Sequence, residues 1–146
     1  MTPRTGMQVL KGGALYFVLV FAAGFALGTA RILWLAPLLG ERTAELAEAP
    51  VMLAISALAA RWLTRRPGEP LSRAGWLGAG FVALALLLAA ELTVVLWLRG
   101  LTLRAYVAGR DPVAGSVYLL SLALFALMPL LVAPRGGRQY RVPQVR

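Results

Sequence analysis

Arg31, Glu48 and Glu91 are ionisable residues set inside stretches that are otherwise apolar enough to cross a membrane. An ionisable group at the centre of a membrane helix costs at least about 2.5 kcal/mol and persists only where it is paired or functional. A guanidinium facing carboxylates supports two kinds of chemistry. It can form an ion pair that fixes how helices pack, in which case losing one partner strands a charge at a cost of about 3–5 kcal/mol. It can also line a site that binds a lipid head group, a small anion or a proton. One arginine cannot hold two glutamates equally, and an adjacent arginine keeps a carboxylate ionised. Proton chemistry would therefore fall to the less well paired carboxylate, with Glu91 deep in its span the stronger candidate.

Other chemistry is closed off by composition. The 146 residues include no Cys and no His, which removes thiol nucleophiles, disulfides and imidazole ligation of metals or haem. A Ser-His-Asp triad is equally impossible. The sequence points to no cofactor, no metal and no catalytic residue. Sixty per cent of the chain is hydrophobic, 14% is charged, and mean hydropathy is +0.74. The formal charge of +9 does not imply nucleic acid, because the cations gather at the ends of apolar blocks. There they act as topology signals and contacts to anionic lipid.

The elements that must position the trio are four spans, at about 12–36, 43–63, 75–98 and 112–134. Each approaches the ~20 residues a helix needs to cross a bilayer. The second is the tightest, since only 12 residues separate Glu48 from Arg61. They would rise about 18 Å, so that helix must start near Thr43 and carry Glu45 and Glu48 into the interface or below it. Trp34, Trp62, Trp76 and Trp97 fall near span ends, as an aromatic belt requires. Asp111-Pro112 reads as an N-cap and first helical residue, and Arg65 to Pro70 as a charged turn. Thr102 is placed to cap a short interfacial helix whose Leu103, Tyr106 and Val107 face lipid while Arg104 and Arg110 face water. Residues 135–146 form a basic tail expected to be disordered against the cytoplasmic leaflet.

Orientation follows from the cations. With the N-terminus inside, Arg4, Lys11, Arg61, Arg65, Arg66, Arg73, Arg135, Arg138, Arg141 and Arg146 lie on the inner side. Arg31, Arg42, Arg99, Arg104 and Arg110 lie on the outer side. The positive-inside rule places both termini in the cytoplasm. The first apolar block exceeds a usual signal-peptide core and is followed by no clear cleavage site, so it reads as a retained helix. Arg31, Glu48 and Glu91 then fall roughly 8–10 Å above the midplane in the same leaflet. Gly24, Gly28 and Arg31 share one face through a GxxxG pair suited to close helix packing. Gly80 lies on the face of Glu91, and Glu41, Glu45 and Glu48 form an acidic ridge. The simplest arrangement points Arg31 at Glu48, Glu91 or both. Pro129 lies inside the fourth span, where it should bend the helix. Ser56, Ser116, Tyr118 and Ser121 read as residues bonded to backbone carbonyls.

Several segments carry a resemblance: Leu27 to Arg31, Gly40 to Pro50, Val95 to Leu101, and Arg110 to Tyr118. They resemble a group of small four-span bacterial membrane proteins known as hypothetical proteins, over most of the chain to about Pro134. The resemblance implies a bacterial inner membrane and brings no activity with it. Small multidrug transporters are shorter and carry a glutamate in the first span, where this chain has Arg31. Membrane glutathione-transferase-like proteins have an arginine-and-asparagine pattern that Arg42 to Pro50 lacks.

The sequence therefore predicts an all-α membrane protein, a bundle of four antiparallel helices. Too little chain lies outside the bilayer for a soluble catalytic domain. The leading reading is a non-enzymatic accessory or self-associating subunit in contact with membrane lipids, as a homo-oligomer or part of a larger complex. The alternative is a binder or transporter of a lipid head group, small anion or proton through Arg31, Glu48 and Glu91. A lipid-directed enzyme with a carboxylate base is the remaining option. The absence of native Cys makes the topology easy to test. A thiol introduced at Gly109 should react with impermeant reagents from the periplasmic side and one at Gly68 should be protected; the reverse pattern would invert the orientation.

Overall fold

The computed structural model describes residues 3–66, 71–98, 100 and 102–135. Helix α1 spans Pro3–Ala30, passes through a widened π-helical turn at Arg31–Leu35 and ends in the short α2, Ala36–Leu39. Helix α3 covers Glu41–Thr64. Helix α4 covers Arg73–Thr93 and continues through a second π-helical turn, Val94–Leu98. The short α5 is Leu103–Ala108, and α6 is Pro112–Val132. Of the described residues, 90% are helical and none lies in a strand. The Gly68 turn and the tail beyond residue 135 lie outside the described residues.

Among the described residues, four helices are long and apolar enough to cross a membrane: Arg4–Leu39, Glu41–Thr64, Arg73–Leu98 and Pro112–Val132. Helix is the expected form for such segments, because hydrocarbon offers no partner to a backbone N–H or C=O. The large apolar side chains that face outward agree with this. Phe25 is 70% exposed and Leu119 67%, a surface that would be an aggregation hazard in water. Trp34, Trp62 and Trp97 also point outward, whereas Trp76 turns in and packs against the core. Helix α1 begins at Pro3, earlier than the first span expected from the sequence, because the uncharged run marks only the part that needs lipid. A helix can continue past it into water.

The helix ends follow local chemistry. Ser72 Oγ accepts a hydrogen bond from the Gly75 N–H at 3.0 Å, and Thr102 Oγ1 from the Ala105 N–H at 3.1 Å. Asp111 Oδ2 accepts from the Ala114 N–H at 2.9 Å, with Pro112 next to it at the first helical position. Gly40 separates α2 from α3 at φ 85°, a left-handed conformation that other residues adopt at a cost. Pro37 accounts for the π-turn before it. It has no N–H to offer the Leu33 carbonyl and its ring would strike that carbonyl in a regular helix. The wider turn, in which the Ala36 N–H reaches the Arg31 carbonyl, relieves both problems. Pro50 stands inside α3, which begins at Glu41.

The long helices close a ring: α1 packs on α3 and α4, and α6 packs on the same two. Its centre holds Tyr16, Val20, Ala60, Leu63, Ala83 and Phe125. Tyr16 of α1 stacks on Phe125 of α6, ring centroids 4.6 Å apart, and its hydroxyl donates to the Phe125 carbonyl at 2.8 Å. Glycines allow the closest approaches. A Cβ on Gly13 would meet the Ala79 carbonyl and Val82 at 2.7 Å, and one on Gly80 would overlap the Ala126 carbonyl. Gly28, by contrast, faces open space. The helices thus meet closely in the half that contains Gly13 and Gly80 and stand apart in the half that contains Arg31.

Gly80→Ala should lower stability by about 1–3 kcal/mol, since its methyl group meets backbone that cannot rotate away. Gly28→Ala should be neutral or slightly stabilising. Thermal unfolding followed by far-UV circular dichroism in detergent separates the two; equal behaviour would contradict the packing described.

Candidate functional site

The half of the ring in which the helices stand apart encloses a cavity of about 800 Å³ between α1, α3, α4, α5 and α6. Its floor is the core: Val20, Phe125 and Ser56 line the cavity from below, next to the Tyr16–Phe125 stack. Apolar side chains including Phe21, Met52, Leu53, Leu87 and Leu122 form the middle. The upper end is polar and carries Arg31, Arg42 and Arg110 with Glu41, Glu45, Glu48, Glu91 and Asp111. A volume of this size lies within the range of small-molecule sites.

Arg31 opens the π-turn, and its Nε lies 3.0 Å from Glu48 Oε2 on α3. The two side chains are 28% and 17% exposed. The N–H is not aimed along the contact, so this is an ion pair without an aligned hydrogen bond, and Glu48 Oε2 is buried with no hydrogen-bond donor. Of the two carboxylates expected to face Arg31, it therefore pairs with Glu48. Glu91 is engaged from α6 instead, where the Tyr118 hydroxyl donates to its Oε2.

Arg110 joins the cluster from the residue before the α6 cap. Its Nη2 donates to Glu45 Oε1 at 2.8 Å and its Nη1 to the Tyr106 hydroxyl at 2.5 Å. Its guanidinium carbon sits 4.1 Å from the centre of the Tyr118 ring, a cation–π contact that ties it to the Glu91 partner. Arg110 thus turns into the cavity rather than to water, and Tyr106 turns with it rather than facing lipid. The physical reason is competition: Glu45 and two tyrosine groups offer Arg110 more than an exposed position would. At the mouth, Arg42 Nε donates to Asp111 Oδ1 at 3.0 Å, with Nη2 close to the same oxygen. The Arg42 guanidinium holds the Asp111 carboxyl below its ordinary range, and the Ala114 N–H adds to the effect. Asp111 therefore caps α6 and ties it to α3 with one carboxylate.

The packing glycines divide. Gly80 sits at the α4–α6 contact, remote from the polar end. Gly24 approaches Met52, whose Cε would lie 3.2 Å from a Cβ there, and Gly28 opens onto the cavity. The GxxxG face of α1 within this chain therefore borders a chamber more than it packs against a helix. Ser116 and Ser121 donate to the carbonyls of Pro112 and Val117 one turn back, at 2.7 and 2.8 Å. Tyr118 departs from that pattern, because Glu91 lies within reach of its longer side chain.

The sequence alone does not mark Arg42, Tyr106, Arg110, Asp111 and Tyr118 as members of the site. One signal was available. Asp111-Pro112 sets the start of α6, which puts Tyr118 about 10 Å further along the helix and near the depth inferred for Glu91. Among the described residues, no three His, Cys, Asp or Glu side chains are grouped to hold a metal ion. The chamber presents alternating charges above an apolar body, an arrangement suited to holding a polar head and an apolar remainder. No family model, curated protein or solved structure matches the chain.

The Arg31–Glu48 pair can be weighed by a double-mutant cycle. Arg31→Gln and Glu48→Gln should each cost about 1–3 kcal/mol, below the range for fully buried pairs because both groups are partly exposed. The double variant should lose less than the sum. Strictly additive losses in thermal unfolding would mean that the two groups are not coupled.

Proposed function

We propose that this chain is a multi-pass protein of a bacterial inner membrane that holds an amphipathic molecule with a cationic head in the cavity between its helices. In this reading the spans form an antiparallel bundle with both termini in the cytoplasm. The cavity then opens toward the periplasmic leaflet, and α5 lies along the outer interface with Leu103 and Val107 toward lipid. The positive-inside distribution of arginines supports that orientation.

The observation that carries the binding reading is the cavity itself. Helices joined only by ion-pair staples would be expected to close to native packing density, whereas here the charged groups rim about 800 Å³ of space. The charge balance selects the class of ligand. Among the described residues, three arginines face five carboxylates in the lining, and ion pairs join Arg31 to Glu48, Arg42 to Asp111 and Arg110 to Glu45. Glu41 lies at the exposed mouth. Glu91 is held by a neutral hydroxyl and outside those pairs, so it is the anionic group left to meet a cationic head. A small anion would face a surplus of like charge and is disfavoured. The apolar floor and middle would take the rest of the ligand.

A structural role as an accessory or self-associating subunit has its own support, because each ion pair ties α3 to another part of the chain. The two roles are compatible: the same pairs that hold the rim would keep the chamber open. The proposal assigns no catalytic step to these residues.

Equilibrium dialysis of the protein in lipid nanodiscs, with empty discs as baseline, tests the reading. The probes are tetraphenylphosphonium and its anionic counterpart of the same shape, tetraphenylborate. The cation should bind saturably and in preference to the anion. Glu91→Gln should weaken it about tenfold or more. Gly28→Phe, which fills open space, should abolish binding while leaving the unfolding temperature unchanged. Preference for the anion, or cation binding that survives both substitutions, would overturn the proposal.

A further inference from the structure

The end of α3 remote from the cavity carries a second recess, of about 370 Å³, lined by Leu58, Arg61, Trp62, Arg65 and Arg66. Arg61 and Arg65 stand one helical turn apart, a spacing at which like charges repel. The described lining contains no carboxylate, and none of the three arginines belongs to an ion pair among the described residues. The C-terminal end of a helix favours cations, and three exposed guanidinium groups so close together favour an anionic partner. The Arg66 guanidinium carbon lies 4.8 Å from the centre of the Trp62 ring, which stiffens one wall of the recess. Leu58 and Trp62 are 67% and 51% exposed and offer the apolar part.

The position of the recess narrows the ligand. It lies where a helix long and apolar enough to cross a membrane ends, the position at which a spanning helix would meet lipid phosphates. Guanidinium groups match phosphate oxygens in bidentate geometry. Basic recesses at the ends of membrane helices also gain from the negative potential of anionic leaflets. We propose that this recess seats the head group of an anionic phospholipid. The arginines take the phosphate oxygens, while Leu58 and Trp62 meet the glycerol and the first acyl carbons. This site is separate from the cavity and does not depend on what the cavity holds.

Native mass spectrometry of the full chain, released from phosphatidylcholine nanodiscs containing some phosphatidylglycerol, reads the site directly. The wild-type protein should retain phosphatidylglycerol in preference to phosphatidylcholine. Arg61→Gln and Arg65→Gln should each reduce that retention about fivefold. Arg→Lys changes at the same positions should reduce it less, because charge remains and only the fork is lost. Arg104→Gln, on α5 at the other end of the molecule, should leave retention unchanged. The substituted side chains are exposed, so far-UV circular dichroism should confirm an intact fold. Equal retention of the two lipids, or undiminished retention in the Arg61→Gln/Arg65→Gln double variant, would overturn the proposal. Complete displacement of the lipid by millimolar inorganic phosphate would also overturn it, by making the recess a free-phosphate site.

Discussion

Hydrocarbon does not solvate charge, and the polar half of this molecule is organised around that constraint. Arg31, Glu48 and Glu91 each lie on a helix apolar enough to span a membrane, so each has to find its partner inside the protein. Arg31 and Glu48 find one another across α1 and α3, and Tyr118 reaches Glu91 from α6. Arg110 then bridges the remaining groups through Glu45, Tyr106 and the Tyr118 ring. These contacts draw α1, α3, α4 and α6 together at one level. The charged groups line the cavity that the helices leave between them there, and their pairs bridge it.

The other half obeys a different rule. Small residues bring backbones together, with Gly13 against Ala79 and Gly80 against Ala126, where any side chain would collide. Tyr16 and Phe125 cross the centre of the ring, and a single hydroxyl both satisfies a buried carbonyl and fixes the stack. Close contact below and charge-mediated contact above leave a chamber that is shut at its floor and lined by ionised groups at its mouth. The shape of the cavity is a consequence of two packing modes meeting along the same four helices.

The two ends also differ electrically. The cavity mouth carries more carboxylates than arginines, while the far end of α3 gathers three arginines around a tryptophan. The proposed ligands of opposite charge would accordingly sit at opposite ends of α3, which begins with an acidic ridge and ends with a basic cluster. Such polarity along α3 costs little, because anions near a helix N-terminus and cations near its C-terminus both gain from the backbone dipole.

The sequence by itself determined the class of the molecule. Uncharged runs bounded by arginines specify membrane-crossing helices, because length and hydropathy suffice to read them. Thr102 and Asp111 announce their helix starts through local hydrogen bonding. Arg31, Glu45, Glu48 and Glu91 were legible as a cluster because an ionisable residue in an apolar run is conspicuous without any partner in view. Which of them pair was not legible. Pairing depends on how far apart the helices stand and how they are rotated, and residues far apart along the chain supply the partners. Arg110 follows Glu45 by 65 positions, and Tyr118 follows Glu91 by 27. The π-turns after Ala30 and Thr93 and the open space beside Gly28 belong to the same category. A GxxxG pair says only that a helix can be approached closely. Whether a helix or a chamber lies opposite is decided by packing across the whole ring.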